Sequence, residues 1–233
     1  MRRTGLLWVA AIIIAGGCSK TEGTKAPVPE QPAAGTAAVG TAGSAASVKR
    51  DDEFVHDVAM MNMAEIELSR MALNKATRAD IKFFAQRIID DHGAAGNKLK
   101  SVLSGDAIDW SGQLDDQHRK TADELAKTQG PDFDRDYLKA LVHGHQDLAA
   151  KLESRLELQS LADWKTAAAG RTQSQALPEP KVALRDVPIR PDKSDSEMTM
   201  KINQWAAETY PVAQKHLDAA RTLENATKKR STN

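Results

Sequence analysis

The chain has 233 residues, of which 41% are hydrophobic and only 4% aromatic, and its 32 Lys and Arg residues are matched by 32 Asp and Glu residues to give zero formal net charge. Because there is no basic surplus, the composition argues against a nucleic-acid-binding protein. Ala and Leu are abundant, which favours helices over strands.

The N-terminus resembles an export signal. A basic start is followed by an apolar stretch over residues 6–15 that is too short to span a bilayer. The motif AGGC, which ends at Cys18, resembles a bacterial lipobox, in which the cysteine becomes the lipidated first residue of the mature chain. The sequence predicts a signal peptide over residues 1–17 and a lipid anchor at Cys18. The alternative is a soluble periplasmic protein that is cut nearby.

The residue after this cysteine bears on the destination of the protein. Ser19 stands where an Asp would favour retention in the inner membrane of Gram-negative cells. By this resemblance to sorted lipoproteins, we expect a periplasm-facing lipoprotein of the cell envelope, with the outer membrane favoured over the inner.

The next segment, residues 18–50, is rich in Ala, Gly, Pro and Thr and has almost no large apolar side chains. Such a segment cannot bury enough surface to offset its ordering entropy, so we expect a disordered tether that begins at the lipidated cysteine. The remaining residues, 51–228, suit a single domain.

This domain shows apolar residues spaced three and four apart along four long segments, which predicts four amphipathic helices. A shorter helix is expected over residues 114–128, and Thr77 with Asp80 resembles a capping box at the start of the second long helix. Residues 167–195 contain four prolines and no helical period, so they read as an insertion before the last helix. The sequence therefore predicts an all-α fold, an antiparallel four-helix bundle with one additional short helix.

One polar residue interrupts the apolar stripe of each long helix. The four are Glu65, His92, His145 and His216. The side chains expected to flank them in the core are Ile88, Leu99, Leu141, Leu152, Val212 and Leu223. A buried ionised Glu is costly unless it is paired or binds a metal. Two hypotheses stay open: a core site that holds one Zn, Fe, Cu or Ni ion, or a hydrogen-bonded polar cluster without metal.

Four segments resemble, in chain order, the sequence blocks of a bacterial envelope family called domain of unknown function 4142: DDEFVHDVAMMNMAEIELSRMAL, ADIKFFAQRIIDDHGAAGNKL, FDRDYLKALVHGHQDL and YPVAQKHLDAARTL. The resemblance covers most of residues 51–160 and 197–225. It implies a ferritin-like helical fold, export and frequent lipidation, and no settled biochemical activity. The insertion at 167–195 departs from the usual family pattern.

The motifs that carry this resemblance add candidate partners for the polar residues. They place Asp91 beside the first histidine, Tyr137 before the second and Tyr210 before the third. The favoured alternative for Asp91 is a solvated surface acid. A ferritin-like di-iron centre needs Glu-x-x-His on two helices, but Ile89 and Val142 stand three residues before their histidines. The sequence therefore does not support a di-iron oxidase.

No nucleophile motif, phosphate-binding loop or paired acid and base is visible, which favours a binding protein over an enzyme. The leading hypothesis is a cell-envelope lipoprotein whose helical bundle binds or senses a periplasmic ligand and holds a single transition metal. The alternatives are a structural or interaction module without metal, and a metal-dependent oxidoreductase. The membrane is expected to be contacted through the lipid on Cys18.

Overall fold

All the regular secondary structure in the computed structural model, which describes residues 40–103, 113–173 and 187–231, is helical. The helices are α1 (Gly40–Lys75), α2 (Ala79–Val102), α3 (Asp116–Lys127), α4 (Gly130–Glu153), α5 (Leu158–Gln173) and α6 (Glu197–Ser231). Within these ranges, β-type pairing is limited to an isolated bridge between Leu156 and Pro191. The predicted all-α class is therefore confirmed.

The first helix begins inside the predicted tether. The signal peptide, Cys18 and residues 19–39 lie outside the described ranges. Helix α1 begins at Gly40, so residues 40–50 of the predicted tether are helical. The boundary predicted at residue 51 is therefore too late. Alanines in this stretch favour a helix, and it continues directly into the amphipathic part of α1. Among the described helices, none has the length and apolarity needed to cross a membrane.

The buried apolar side chains form two clusters along the long helices. The first core includes Val58 of α1, Leu99 of α2, Leu148 of α4 and Trp205 of α6. The second core includes Leu68 of α1, Ile88 of α2, Leu141 of α4 and Ala220 of α6. Along α1 and α6 the chain passes from the first core to the second, and along α2 and α4 it passes from the second to the first. These two pairs of helices therefore run in opposite directions.

The four long helices pack side by side in pairs. Helix α1 lies against α2 and α4, and α6 lies against the same two helices, so each of these neighbouring pairs is antiparallel. Helix α3 packs against α1 and α4. Because α2 and α4 run in the same direction, the connection that carries α3 returns the chain to the opposite end of the helices.

The predicted core residues are buried in four of six cases. Ile88, Leu99, Leu141 and Leu152 are all at most 1% exposed. The prediction for Val212 is wrong, since this side chain is 36% exposed, and Leu223 is only partly buried. Buried positions of α6 recur seven apart at Ala206, Ala213 and Ala220. Val212 lies one residue, or about 100° of helical rotation, away from that stripe.

The predicted insertion at 167–195 overlaps α5, a helix that the sequence reasoning missed. After residues 174–186, which lie outside the described ranges, the chain returns to the start of α5. There the Glu157 amide donates to the Arg190 carbonyl and the Asp192 amide donates to the Arg155 carbonyl, both at 2.9 Å. Two apolar side chains that follow the gap pack on the first core, Val187 and Ile189. The described ends of the insertion are therefore part of the folded body.

The turn between α1 and α2 is held by a tertiary contact. The predicted capping box is wrong, because the N-cap of α2 is Arg78, whose side chain makes no capping hydrogen bond. Thr77 instead donates its backbone amide to Asp134 of α4 at 2.9 Å, and its hydroxyl donates to the same carboxylate. The partner of Thr77 is therefore the buried carboxylate of Asp134 and not that of Asp80.

Candidate metal centre

The structure brings the four sequence-predicted polar residues together between the two cores. Glu65 comes from α1, His92 from α2, His145 from α4 and His216 from α6. These four residues are between 0% and 5% exposed. We call these four residues the polar layer. Each residue reaches it because it stands on the inward stripe of its helix, at the point where the chain passes from one core to the other.

The three histidine rings form a compact triangle. The ring centroids of His92 and His145 are 5.3 Å apart, those of His145 and His216 are 5.3 Å apart, and those of His92 and His216 are 5.5 Å apart. One nitrogen from each ring lies within 4.8 Å of the corresponding nitrogen of the other two rings. In the described part of the chain, this is the group of side chains whose spacing suits a metal ion.

Two of the three histidines are hydrogen-bonded through one ring nitrogen, and the third lies close to a carboxylate. His216 Nε2 lies 2.9 Å from Asp91 Oδ2, and His145 Nδ1 lies 2.9 Å from the Leu141 carbonyl. Because a carboxylate or a carbonyl accepts, these two nitrogens carry the hydrogen. His92 Nε2 lies 3.2 Å from Glu65 Oε2. These contacts orient the three rings.

The opposite nitrogen of each ring has no partner. His92 Nδ1, His145 Nε2 and His216 Nδ1 are buried and make no hydrogen bond with any described residue. The same holds for both oxygens of Glu65, although Oε1 lies 3.0 Å from His145 Nδ1. Buried polar atoms are normally satisfied, and each orphan costs about 1 to 3 kcal/mol. Of the five such atoms in this layer, three are histidine nitrogens, which are potential ligand atoms for a metal.

The charges in the layer are coupled. Burial would raise the pKa of Glu65, but the neighbouring His145 and His92 outweigh burial and lower it. Burial lowers the pKa of His92 to about 4. The pKa of His145 is raised, because the Glu65 carboxylate outweighs burial. Burial also lowers the pKa of His216, against the effect of Asp91. Without metal, these shifts favour the ionised form of Glu65 and the charged form of His145, and they favour the neutral forms of His92 and His216.

A glycine on α4 makes room for the Glu65 carboxylate. A Cβ atom placed on Gly144 would lie 2.5 Å from Glu65 Oε1, closer than real Cβ contacts come. A glycine within a helix costs about 1 kcal/mol relative to alanine. The absence of a side chain at Gly144 therefore leaves the space that the Glu65 carboxylate occupies. Sequence reasoning missed this residue, and the signal available was a glycine between two histidines in the middle of a helix.

Two clefts approach the polar layer from different sides. A cleft of about 470 Å³ between α1, α3 and α4 has Glu65 and Gly144 in its wall. A cleft of about 260 Å³, which we call the α2–α6 groove, has Asp91, His92 and His216 in its wall. Glu65 therefore lines one cleft, and His92 and His216 line the other.

Of the candidate partners predicted from the family motifs, Asp91 bonds to a histidine, although to His216 rather than to its sequence neighbour. The Tyr137 hydroxyl instead pairs with Ser69 Oγ at 2.9 Å. The Tyr210 hydroxyl donates to Glu153 Oε1 at 2.7 Å. Neither tyrosine hydroxyl bonds to the polar layer. The predicted lipidation site, Cys18, lies outside the described residues.

The chain matches the family model described as domain of unknown function (DUF4142) over residues 36–175. Because the match spans more than half of the chain, the protein belongs to this family, as the sequence motifs predicted. The match includes Glu65, His92 and His145 and ends before α6, so His216 lies beyond it. No match was found among curated proteins or among solved structures.

Proposed function

We propose that this protein binds one transition-metal ion through His92, His145 and His216. The observation that carries the proposal is that each ring presents one buried nitrogen without a partner among the described residues, while its other nitrogen faces a carboxylate or a carbonyl. Histidines that bind metals almost always donate their second nitrogen in this way. A cluster that only satisfied itself would not leave these three buried nitrogens without partners.

Glu65 holds two of these ligands rather than acting as a fourth. The sequence hypothesis included Glu65 in the ligand set. Its carboxylate, however, lies against His92 Nε2 and His145 Nδ1, the nitrogens opposite the unpartnered ones. It therefore stands behind the rings and favours the histidine orientation that binding needs. The proposed ligand set is the three histidines.

The chemistry of this set favours Zn, Cu, Ni or Fe as a single ion. Neutral imidazole nitrogens suit these metals. Two ring nitrogens bound to one tetrahedral ion lie about 3.3 Å apart. One nitrogen of each ring lies within 4.8 Å of the others, so binding one ion would require the triangle to contract. A di-iron centre lacks its carboxylates, because residues 89 and 142 are Ile and Val.

The arrangement of helices supports a ferritin-like bundle as part of the proposal. Ferritin-like folds contain one long crossover between two helices that run in the same direction. Here α2 and α4 run in the same direction and are joined by the connection that carries α3. We also propose, from the lipobox-like motif at Cys18, that the folded body is anchored to the periplasmic face of the outer membrane.

Zn²⁺ titration of the purified protein after treatment with chelator tests the metal proposal, and elemental analysis of the untreated protein identifies the native ion. We expect one Zn²⁺ per chain and loss of this binding in His92→Ala, His145→Ala and His216→Ala. The matched control is His143→Ala, an exposed histidine that pairs with Asp147.

The result that would reject the proposal is an unchanged Zn²⁺ affinity in the three ligand variants, or no stoichiometric binding in the wild type. A metal-free protein that is indifferent to chelator would instead support the structural or interaction module. Bound redox-active iron with turnover would support an oxidoreductase.

A further inference from the structure

Two carboxylates contact the three histidines of the proposed metal site. Glu65 Oε2 lies 3.2 Å from His92 Nε2, and Glu65 Oε1 lies 3.0 Å from His145 Nδ1. Asp91 Oδ2 accepts a hydrogen bond from His216 Nε2 at 2.9 Å. In each case the proposed ligand atom is the opposite nitrogen of the same ring. Every histidine of the site therefore has a carboxylate one imidazole ring away from the ion.

The charges around these rings are mainly negative. An ion bound between the rings favours the ionised form of both carboxyl groups, because opposite charges stabilise each other. In the described part of the chain, no Lys or Arg is fully buried. Arg87 Nε lies 3.5 Å from Asp91 Oδ2, but the Arg87 side chain is 61% exposed and therefore offsets little of that charge. In the α2–α6 groove, Lys98 pairs with Glu208.

This arrangement stabilises a higher charge on the ion. The attraction between a carboxylate and the ion grows in proportion to the charge of the ion. The Glu65 side chain is only 4% exposed, so salt and solvent screen its attraction weakly. With the histidines neutral, as ligation requires, two carboxylates match a divalent ion better than a monovalent one. The proposed ligands are also imidazoles, not the sulfur ligands that select monovalent copper.

We propose that Glu65 and Asp91 determine the charge of the bound ion, so that the site holds a divalent rather than a monovalent metal. This inference rests on the proposed three-histidine site. It goes further by narrowing the bound ions to one charge class, and by giving the two carboxylates a role in selectivity besides the orientation of the rings.

Copper tests this inference because it can be bound in both charge states, and its reduction potential reports the ratio of the two affinities. Glu65→Gln and Asp91→Asn each remove one negative charge and keep an acceptor oxygen. We expect Glu65→Gln to lower the affinity for Cu²⁺ relative to Cu⁺ by at least about tenfold, which raises the potential by about 59 mV for one electron. Asp91→Asn should act in the same direction with a smaller effect, because the Asp91 side chain is 37% exposed.

The measurement is a spectroscopic redox titration of the copper-loaded protein in the absence of oxygen. The matched control is Asp90→Asn, which removes the same charge from the next position of α2. Asp90 is exposed and accepts a hydrogen bond from Gln86, so its loss should leave the potential unchanged. If the carboxylates only oriented the rings, their loss would weaken the binding of both copper ions and leave the potential unchanged.

The outcomes separate this inference from the metal site on which it rests. A protein that binds neither Cu²⁺ nor Cu⁺ would reject the site itself. Bound copper with one potential in the wild type, Glu65→Gln and Asp91→Asn would reject the role in selectivity and keep the site. An equal rise in Asp90→Asn would also reject it, because the effect would then follow the net charge of the protein. If Glu65→Gln does not fold, Asp91→Asn decides the outcome, since it changes a partly exposed side chain.

Discussion

Two buried carboxylates on α1 have different surroundings. One oxygen of Asp51 pairs with Arg155, and the other accepts a hydrogen bond from the Thr199 hydroxyl at 2.5 Å. Glu65 lies farther along the same helix and within 3.0 to 3.2 Å of two histidine nitrogens, but neither of its oxygens accepts a directed hydrogen bond from a described residue. Asp51 is satisfied by the fold, whereas Glu65 is not.

The surroundings of Asp51 explain its structural role. Arg155 lies over the Phe54 ring, with its guanidinium carbon 4.3 Å from the ring centroid, and donates to the Arg50 carbonyl at 2.9 Å. The network ties α1 to the turn after α4 and, through Thr199, to the start of α6. The comparison shows that burial of a charged group does not by itself mark a functional site. The unsatisfied hydrogen-bonding groups around Glu65 are what distinguishes it from Asp51, and they support the proposed site.

The largest expected effect comes from breaking the satisfied network. Asp51→Ala leaves the guanidinium of Arg155 buried without its carboxylate, so we expect the free energy of unfolding to fall by about 3 to 5 kcal/mol. Urea denaturation measures this change. Asp57→Ala is the control, because its pair with Lys151 is 42% and 35% exposed and should contribute no more than about 1 kcal/mol. Equal losses in the two variants would contradict the distinction.

The polar layer should respond to acid. The pKa of His92 is lowered to about 4 in the folded protein from an ordinary value of 6.5. Its neutral form contributes stability above pH 6.5, and this stability is lost as the pH falls toward 4, because only the unfolded chain then takes up the proton. The loss is at most about 3 kcal/mol. His216 acts in the same direction, and the raised pKa of His145 affects stability only above pH 6.5.

Urea titrations of the metal-free protein between pH 7 and pH 5 measure this loss. The control variant is His92→Asn, which removes the titrating group. We expect the wild type to lose more stability than this variant as the pH falls. Parallel pH profiles for the two proteins would show that His92 is not held neutral by burial.

The composition of the polar layer could be predicted from sequence because the three- and four-residue spacing of apolar residues shows which positions of a helix are buried. Glu65 and three histidines stand where the period demands apolar residues, and the structure brings them together. The partner of Asp91 could not be predicted. Sequence proximity suggested His92, but the carboxylate bonds to His216 on α6, and which helices are neighbours is decided by tertiary packing.

The inward face of α6 was hard to predict for a different reason. Its buried stripe includes Ala206, Ala213 and Ala220, which carry little hydrophobic signal because their side chains are small. Val212 is larger and more hydrophobic, so the sequence reasoning placed it in the core instead of the neighbouring alanine. A glycine in the middle of a predicted helix marks Gly144 as unusual, but its role depends on which helix faces Glu65, and tertiary packing decides that.

Metal should stabilise the polar layer without affecting the Asp51 network. Zn²⁺ at 100 times its dissociation constant is expected to raise the free energy of unfolding by about 2.7 kcal/mol. Asp51→Ala should show the same increment, because contributions from separate sites add. His216→Ala should show none. Denaturation with Zn²⁺ and with chelator checks this, and an equal increment in His216→Ala would mean that the ion binds elsewhere.

The smallest effect separates two glycines that stand next to layer histidines. A Cβ on Gly93 of α2 would meet nothing within 4 Å, so Gly93→Ala should gain about 0.5 to 1 kcal/mol from the better helix propensity of alanine. The same change at Gly144 forces the Glu65 carboxylate away from His145, which offsets that gain.

If Glu65 orients the ligands, Gly144→Ala should also weaken Zn²⁺ binding, whereas Gly93→Ala should leave it unchanged. Calorimetric Zn²⁺ titration and urea denaturation of both variants measure the two effects. Gly144→Ala with the stability and Zn²⁺ affinity of Gly93→Ala would mean that the position of Glu65 does not matter to the centre.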